Sequence, residues 1–225
     1  MRFLAALLIF AASTDTAAAQ PPPGTPTRTL EAMRRDFPID HQALAATLAG
    51  KPPEEARRLA YAGIDRFLRS RGAAILSAPG STLVAIEARQ AALLRSLGRQ
   101  DVGLCAKVGD RGPFSSEALA GPAPAGLDEY GEALVEAAKA GAGIGAAEPL
   151  MTKEDLAAWL AALGKIEPGV PVLAMLQDRA LRARSSPDQL CRGAAAMHEA
   201  VASLAPGPRE RVARTLLRSV LAAAP

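Results

Sequence analysis

The chain has 225 residues, of which 49% are hydrophobic and only 4% are aromatic, and its formal net charge is +3. This composition excludes an intrinsically disordered protein, because enough apolar side chains are present to form a core. Arginine outnumbers lysine 21 to 5 and asparagine is absent. That bias is typical of a GC-rich bacterial genome, so the arginines are not an indication of nucleic-acid binding.

Residues 1–19 have the pattern of a secretory signal peptide. A basic start at Arg2 precedes an apolar run over 3–12, and small residues follow at 17–19. The apolar run is too short to cross a bilayer, which takes about 20 helical residues. We therefore expect cleavage after Ala19, a disordered lead over 20–27, and a periplasmic or secreted product without a transmembrane segment. The alternative is an uncleaved interfacial anchor.

Helical periodicity starts near Thr27 and pauses at Phe37, because a proline disfavours helix in the residue before it. A helix over 39–49 and another from Pro53 follow, and the second includes Ile75 on its apolar face. Ser81 is expected to cap a helix over 82–97, which has the clearest pattern of the chain. Its apolar residues are Leu83, Ile86, Leu93, Leu94 and Leu97. A brief helix over 101–107 comes next.

The second half contains further helices, at 128–140 and from 152 onward. Thr152 and Ser186 each carry the signature of a helix N-terminus, with an acidic or amide residue close behind. Pro171 is expected to open one helix that runs to residue 183. The last two helices are expected to end near residues 204 and 223.

No window alternates with the period of two that strands require. The sequence therefore predicts an all-α fold, an irregular bundle of about seven to nine helices over 28–223. The bundle is either a single compact domain or two tightly packed helical lobes, with the lobe boundary near the Gly/Pro-rich region 109–126.

Cys105 and Cys191 are the only cysteines. In an exported protein an even pair is most simply explained as a disulfide, which here would clamp the first half of the chain to the last helices. Two buried thiols or a redox pair are the alternatives, although the C-x-x-C spacing of redox motifs is absent.

The candidate chemistry is sparse. His41 and His198 lie outside the spacings that place two imidazoles on one helix face, so no metal site and no cofactor are predicted. His198 follows Cys191 by seven residues, and the two could form a nucleophile–base pair only if the cysteine were reduced. Glu87 and Gln90 lie on or beside the apolar face of helix 82–97. They are either the anchors of a ligand pocket or hydrogen-bonded partners between helices.

Three functions follow from these patterns. The first is an exported, non-catalytic helical protein that binds another protein or an envelope component. The second is a helical pocket around Glu87 and Gln90 for a small apolar or amphipathic ligand. The third is an envelope hydrolase without a recognisable motif. The net charge alternates, +5 over 20–111, −6 over 112–169 and +4 over 170–225, which fits internal pairing as well as a partner. The oligomeric state stays open.

Overall fold

The computed structural model describes residues 26–114, 123–144 and 149–222, and the signal-peptide interpretation of 1–19 lies outside these ranges. Within them the chain forms twelve helices and no strand, which confirms the all-α class. The helices are α1 (Thr27–Asp36), α2 (Pro38–Leu48), α3 (Pro53–Ser70), α4 (Gly72–Leu76), α5 (Gly80–Gln100), α6 (Val102–Arg111), α7 (Leu127–Ala140), α8 (Lys153–Ile166), α9 (Val172–Gln177), α10 (Arg179–Arg184), α11 (Pro187–Ala202) and α12 (Pro206–Ala222).

Helices outnumber the seven to nine expected partly because two long helices are each broken in two. Arg71 has φ −98° and ψ 6°, which separates α3 from α4 just before Gly72. Asp178 has extended backbone between α9 and α10, and its carboxylate accepts hydrogen bonds from the backbone N–H groups of Ala180 and Leu181. An aspartate that caps a new helix start competes with continuation of the preceding helix.

Most of the helix N-termini predicted from capping residues are confirmed. Thr152 forms a capping box with Asp155, and Ser186 forms one with Gln189. The expected cap at Ser81 was wrong, because α5 begins one residue earlier, at Gly80, with Pro79 preceding it and no side-chain cap. Pro79 is the N-cap residue, and its carbonyl oxygen accepts hydrogen bonds from the backbone N–H groups of Thr82 and Leu83.

The core surrounds α5, which packs against α6, α7, α11 and α12. Its predicted apolar stripe is buried, and the five residues of that stripe are Leu83, Ile86, Leu93, Leu94 and Leu97. Helices from before and after region 109–126 pack together, α1 on α7 and α5 on α11. Residues 115–122 of that region lie outside the described ranges, so the two-lobe alternative stays a prediction.

Charged residues of the acidic middle segment pair with basic residues of the flanking segments. Asp155 accepts two hydrogen bonds from Arg211, both at 2.7 Å, and is 3% exposed. Glu167 accepts from Arg95 at 3.2 Å and from Arg192 at 2.5 Å. These pairs join α8 and its C-terminal end to α5, α11 and α12. Part of the charge alternation in the sequence therefore serves internal pairing.

Candidate functional site

Glu87 and Gln90 lie one turn apart on α5, and both are enclosed, with exposed fractions of 0% and 2%. Gln90 Oε1 accepts a hydrogen bond of 2.9 Å from the Tyr130 hydroxyl on α7. Glu87 Oε2 lies 2.5 Å from Nδ1 of His198 on α11. The two residues named by sequence analysis thus each bond to a different neighbouring helix.

The interior around this cluster is strongly desolvated. Burial raises the pKa of Tyr130 far above its ordinary value, and the nearby charge of Glu87 acts in the same direction. Glu87 Oε1 is buried and has no hydrogen-bond partner among the described residues. Glu87 and Gln90 each form a polar contact between helices, and their ligand-anchoring role stays a prediction.

The two cysteines form a disulfide between α6 and α11, with Cα atoms 5.2 Å apart. Both are buried, Cys105 at 0% and Cys191 at 4% exposure. Helix α5 passes close to the bridge at Gly98, where an added Cβ would lie 2.9 Å from Cys191 Sγ. The oxidised Cys191 and the engaged His198 rule out the cysteine–histidine nucleophile considered from the sequence.

An apolar groove of about 80 Å³ lies beside the disulfide, between α6, α9 and α11. Its floor is made of small residues, Ala106 and Gly109 on α6 and Gly193 and Ala194 on α11. Glycine at 109 permits the close approach of the two helices, since a Cβ there would lie 2.6 Å from Ala194 Cβ. We name this feature the α6–α9–α11 groove.

Larger, flexible side chains form the walls of the groove: Val172, Met175 and Leu176 on α9, and Leu190 and Met197 on α11. Leu176 is 48% exposed and its neighbour Leu173 is 41% exposed. Helix α9 has six residues, of which Val172 and Met175 are buried. Methionine-lined apolar surfaces adapt readily to different contacts.

Charged residues lie at one end of the groove. Arg182 on α10 and Asp110 on α6 both line it, with Nη1 and Oδ1 3.6 Å apart. The sequence did not reveal this site, because residues 171–183 were expected to form one helix. The available signal was the apolar run over 172–176 followed directly by the arginine-rich 179–184.

The remaining candidate residue from the sequence is His41. His41 lies on α2, and burial, with the nearby charge of Arg34, lowers its pKa. Across the described ranges, no three His, Cys, Asp or Glu side chains converge as metal ligands. None of the helices in those ranges combines the length and apolarity needed to cross a bilayer.

Scans against protein-family models, curated proteins and solved structures each found no match for this chain.

Proposed function

We propose that this chain is a non-catalytic binding protein and that its α6–α9–α11 groove receives aliphatic side chains of another protein. The observation that carries the proposal is an apolar groove of about 80 Å³ beside two half-exposed leucines, Leu173 and Leu176. Exposed apolar area next to a small pocket is the arrangement in which partner side chains act as anchors.

The volume of the groove favours a protein partner over a small ligand. Pockets for drug-sized molecules enclose about 300–1,000 Å³, several times the 80 Å³ available here. A partner protein needs only shallow pockets, because most of its contact area lies on the surrounding surface. The groove is therefore better suited to anchor side chains than to an enclosed ligand.

We also propose that the protein acts outside the reducing cytosol. The disulfide between Cys105 and Cys191 supports this, since such bonds persist mainly in oxidising compartments. The signal-like residues 1–19 support it from the sequence.

The decisive experiment places a photo-reactive amino acid at Leu176, which lines the groove, in cells of the organism that encodes the protein. The matched control carries the same amino acid at Leu156, a 36% exposed leucine on α8 outside the groove. We expect a cross-linked partner, identified by mass spectrometry, from position 176 alone. Equal products from both positions would overturn the proposal.

A binding measurement with the identified partner completes the test. Leu176→Asp should weaken the affinity about tenfold or more, because a charge would enter the apolar contact. Leu156→Asp should leave the affinity unchanged. Saturable binding of a small apolar dye that Leu176→Asp abolishes, without any protein product, would instead favour the small-ligand function.

A further inference from the structure

The helix at the end of the groove is basic throughout. Arg179, Arg182 and Arg184 are the charged residues of α10, and none of the six residues of this helix is buried. The nearest acidic residue in sequence, Asp178, uses its carboxylate to accept from the backbone N–H groups of Ala180 and Leu181. That carboxylate is therefore engaged in capping the helix.

Neutralisation of α10 by the described residues is weak. Asp110 is the one acidic side chain of those residues within ion-pair distance of an α10 arginine, and it lies 3.6 Å from Arg182 with both side chains 43% exposed. An exposed pair at that separation contributes little free energy, so an incoming carboxylate can replace Asp110. Arg184 Nε donates to the carbonyl oxygen of Ala180, and its guanidinium forms no ion pair with an acidic side chain of the described residues.

The apolar groove and this basic helix meet at Arg182, which belongs to both. We propose that the partner segment is acidic and amphipathic. Its aliphatic side chains enter the α6–α9–α11 groove while its carboxylates bind the arginines of α10. This inference rests on the proposed function and names the chemistry of the partner. Arginine is suited to the role because its guanidinium can bind a carboxylate through two parallel hydrogen bonds.

The test uses two fluorescently labelled helical peptides with the same leucine stripe, one with a glutamate-rich polar face and one with a lysine-rich polar face. Binding to the full mature chain is followed by anisotropy at increasing ionic strength. We expect the acidic peptide to bind about tenfold more tightly at low salt, from a few exposed charge pairs of modest strength each. The preference should shrink as salt screens the charges.

Substitutions of arginine test which part of the protein causes the preference for the acidic peptide. Arg179→Gln/Arg182→Gln/Arg184→Gln should abolish the preference for the acidic peptide, and glutamine keeps a helix propensity close to that of arginine. The matched control, Arg58→Gln/Arg66→Gln/Arg99→Gln, removes the same net charge from exposed positions on α3 and α5. That control should keep the preference. Equal loss in both triple variants would mean an effect of net charge alone and would overturn the inference.

Three further results are decisive. If the two peptides bind equally and Leu176→Asp weakens both, the groove function stands and the acidic-partner inference fails. If neither peptide binds, the acidic-partner inference fails. The proposed function of the groove is then still tested by the cross-linking at Leu176. If phosphatidylglycerol vesicles bind through α10 while the peptides do not, the arginines serve a membrane surface and the inference is overturned.

Discussion

The carboxylate of Glu87 on α5 lies 2.5 Å from the imidazole Nδ1 of His198 on α11, and both side chains are inside the core. These two helices form the most extensive packing interface of the fold. A polar pair in such a place constrains their register, because sliding either helix would leave a buried carboxylate without a partner.

Removing either Glu87 or His198 alone should lower the stability of the protein substantially. We expect Glu87→Ala to lower the free energy of unfolding by about 3–5 kcal/mol, because the buried imidazole of His198 loses the carboxylate that it contacts. Glu87→Met/His198→Leu should be less destabilising than Glu87→Ala, since no polar atom of the pair is then left buried and unpaired. Urea unfolding followed by circular dichroism measures both.

The control for that series is Glu31→Ala at an exposed position on α1, which should change stability by less than about 0.5 kcal/mol. The losses of stability caused by Glu87→Met and His198→Leu alone should not add up in the double variant. A double variant whose loss equals their sum would contradict the view that Glu87 and His198 depend on each other.

The disulfide should supply a large part of the stability and also support the groove. It closes a separation of 86 residues, for which chain entropy predicts about 4–5 kcal/mol. Cys105→Ser/Cys191→Ser should therefore lower the unfolding free energy by about that amount. Partner binding should weaken as well, because the groove residues Ala106 and Leu190 adjoin the two cysteines in sequence.

Mass spectrometry checks the oxidation state directly. The intact chain should gain two hydrogens on reduction, and reduction should require denaturant because both sulfurs are buried. Labelling of either cysteine in the untreated native protein would contradict the expectation.

Local signals were sufficient for much of the fold. The capping boxes at Thr152 and Ser186 and the proline start at Pro53 involve residues within one helical turn, so the sequence alone contains them. The N-terminus of α1 is different. Its backbone N–H groups at Arg28 and Thr29 donate to the carboxylate of Asp128, about 100 positions away, and no local pattern predicts such a partner.

The candidate sites also combine features that the local sequence shows with features that depend on distant residues. Glu87 and Gln90 were recognisable as polar residues on an apolar helix face, but their partners, His198 and Tyr130, belong to helices brought close only by the tertiary fold. The groove was not recognisable at all. It depends on the break at Asp178 and on α9 lying over Gly193, where a Cβ would be 3.2 Å from Met175 Cε.

Gly141 at the end of α7 should be intolerant of any side chain. An added Cβ would collide with the Ala74 carbonyl oxygen and lie 2.8 Å from the backbone N of Ala78. Since backbone atoms cannot rotate away, Gly141→Ala should displace α4 and cost about 1–3 kcal/mol.

Gly164 on α8 is the matched control for Gly141, because nothing lies within 4 Å of a Cβ built there. Gly164→Ala should stabilise the chain by about 0.4–1 kcal/mol, since alanine restricts the unfolded state. Thermal unfolding of the two variants measures the contrast, and a Gly141→Ala variant as stable as the wild type would contradict the close packing of α7 on α4.

Stability should depend on pH through Asp155. Hydrogen bonds from Arg211, with the backbone N–H of Thr152, hold the pKa of Asp155 well below its ordinary value of 3.8. The unfolded chain therefore takes up this proton at a higher pH than the folded chain does. The stabilisation from Asp155 is complete above pH 3.8 and is lost as the pH falls through the lower folded-state pKa.

Urea unfolding at a series of pH values below 5 tests this dependence. The advantage of the wild type over Asp155→Asn should be constant near neutral pH and should shrink as the solution becomes acidic, because the two side chains are then both uncharged. Arg211→Gln should reduce the same dependence, since it removes the main cause of the lowered pKa. If Arg211→Gln lost stability at low pH as the wild type does, the ion pair between Asp155 on α8 and Arg211 on α12 would not be the cause of that loss.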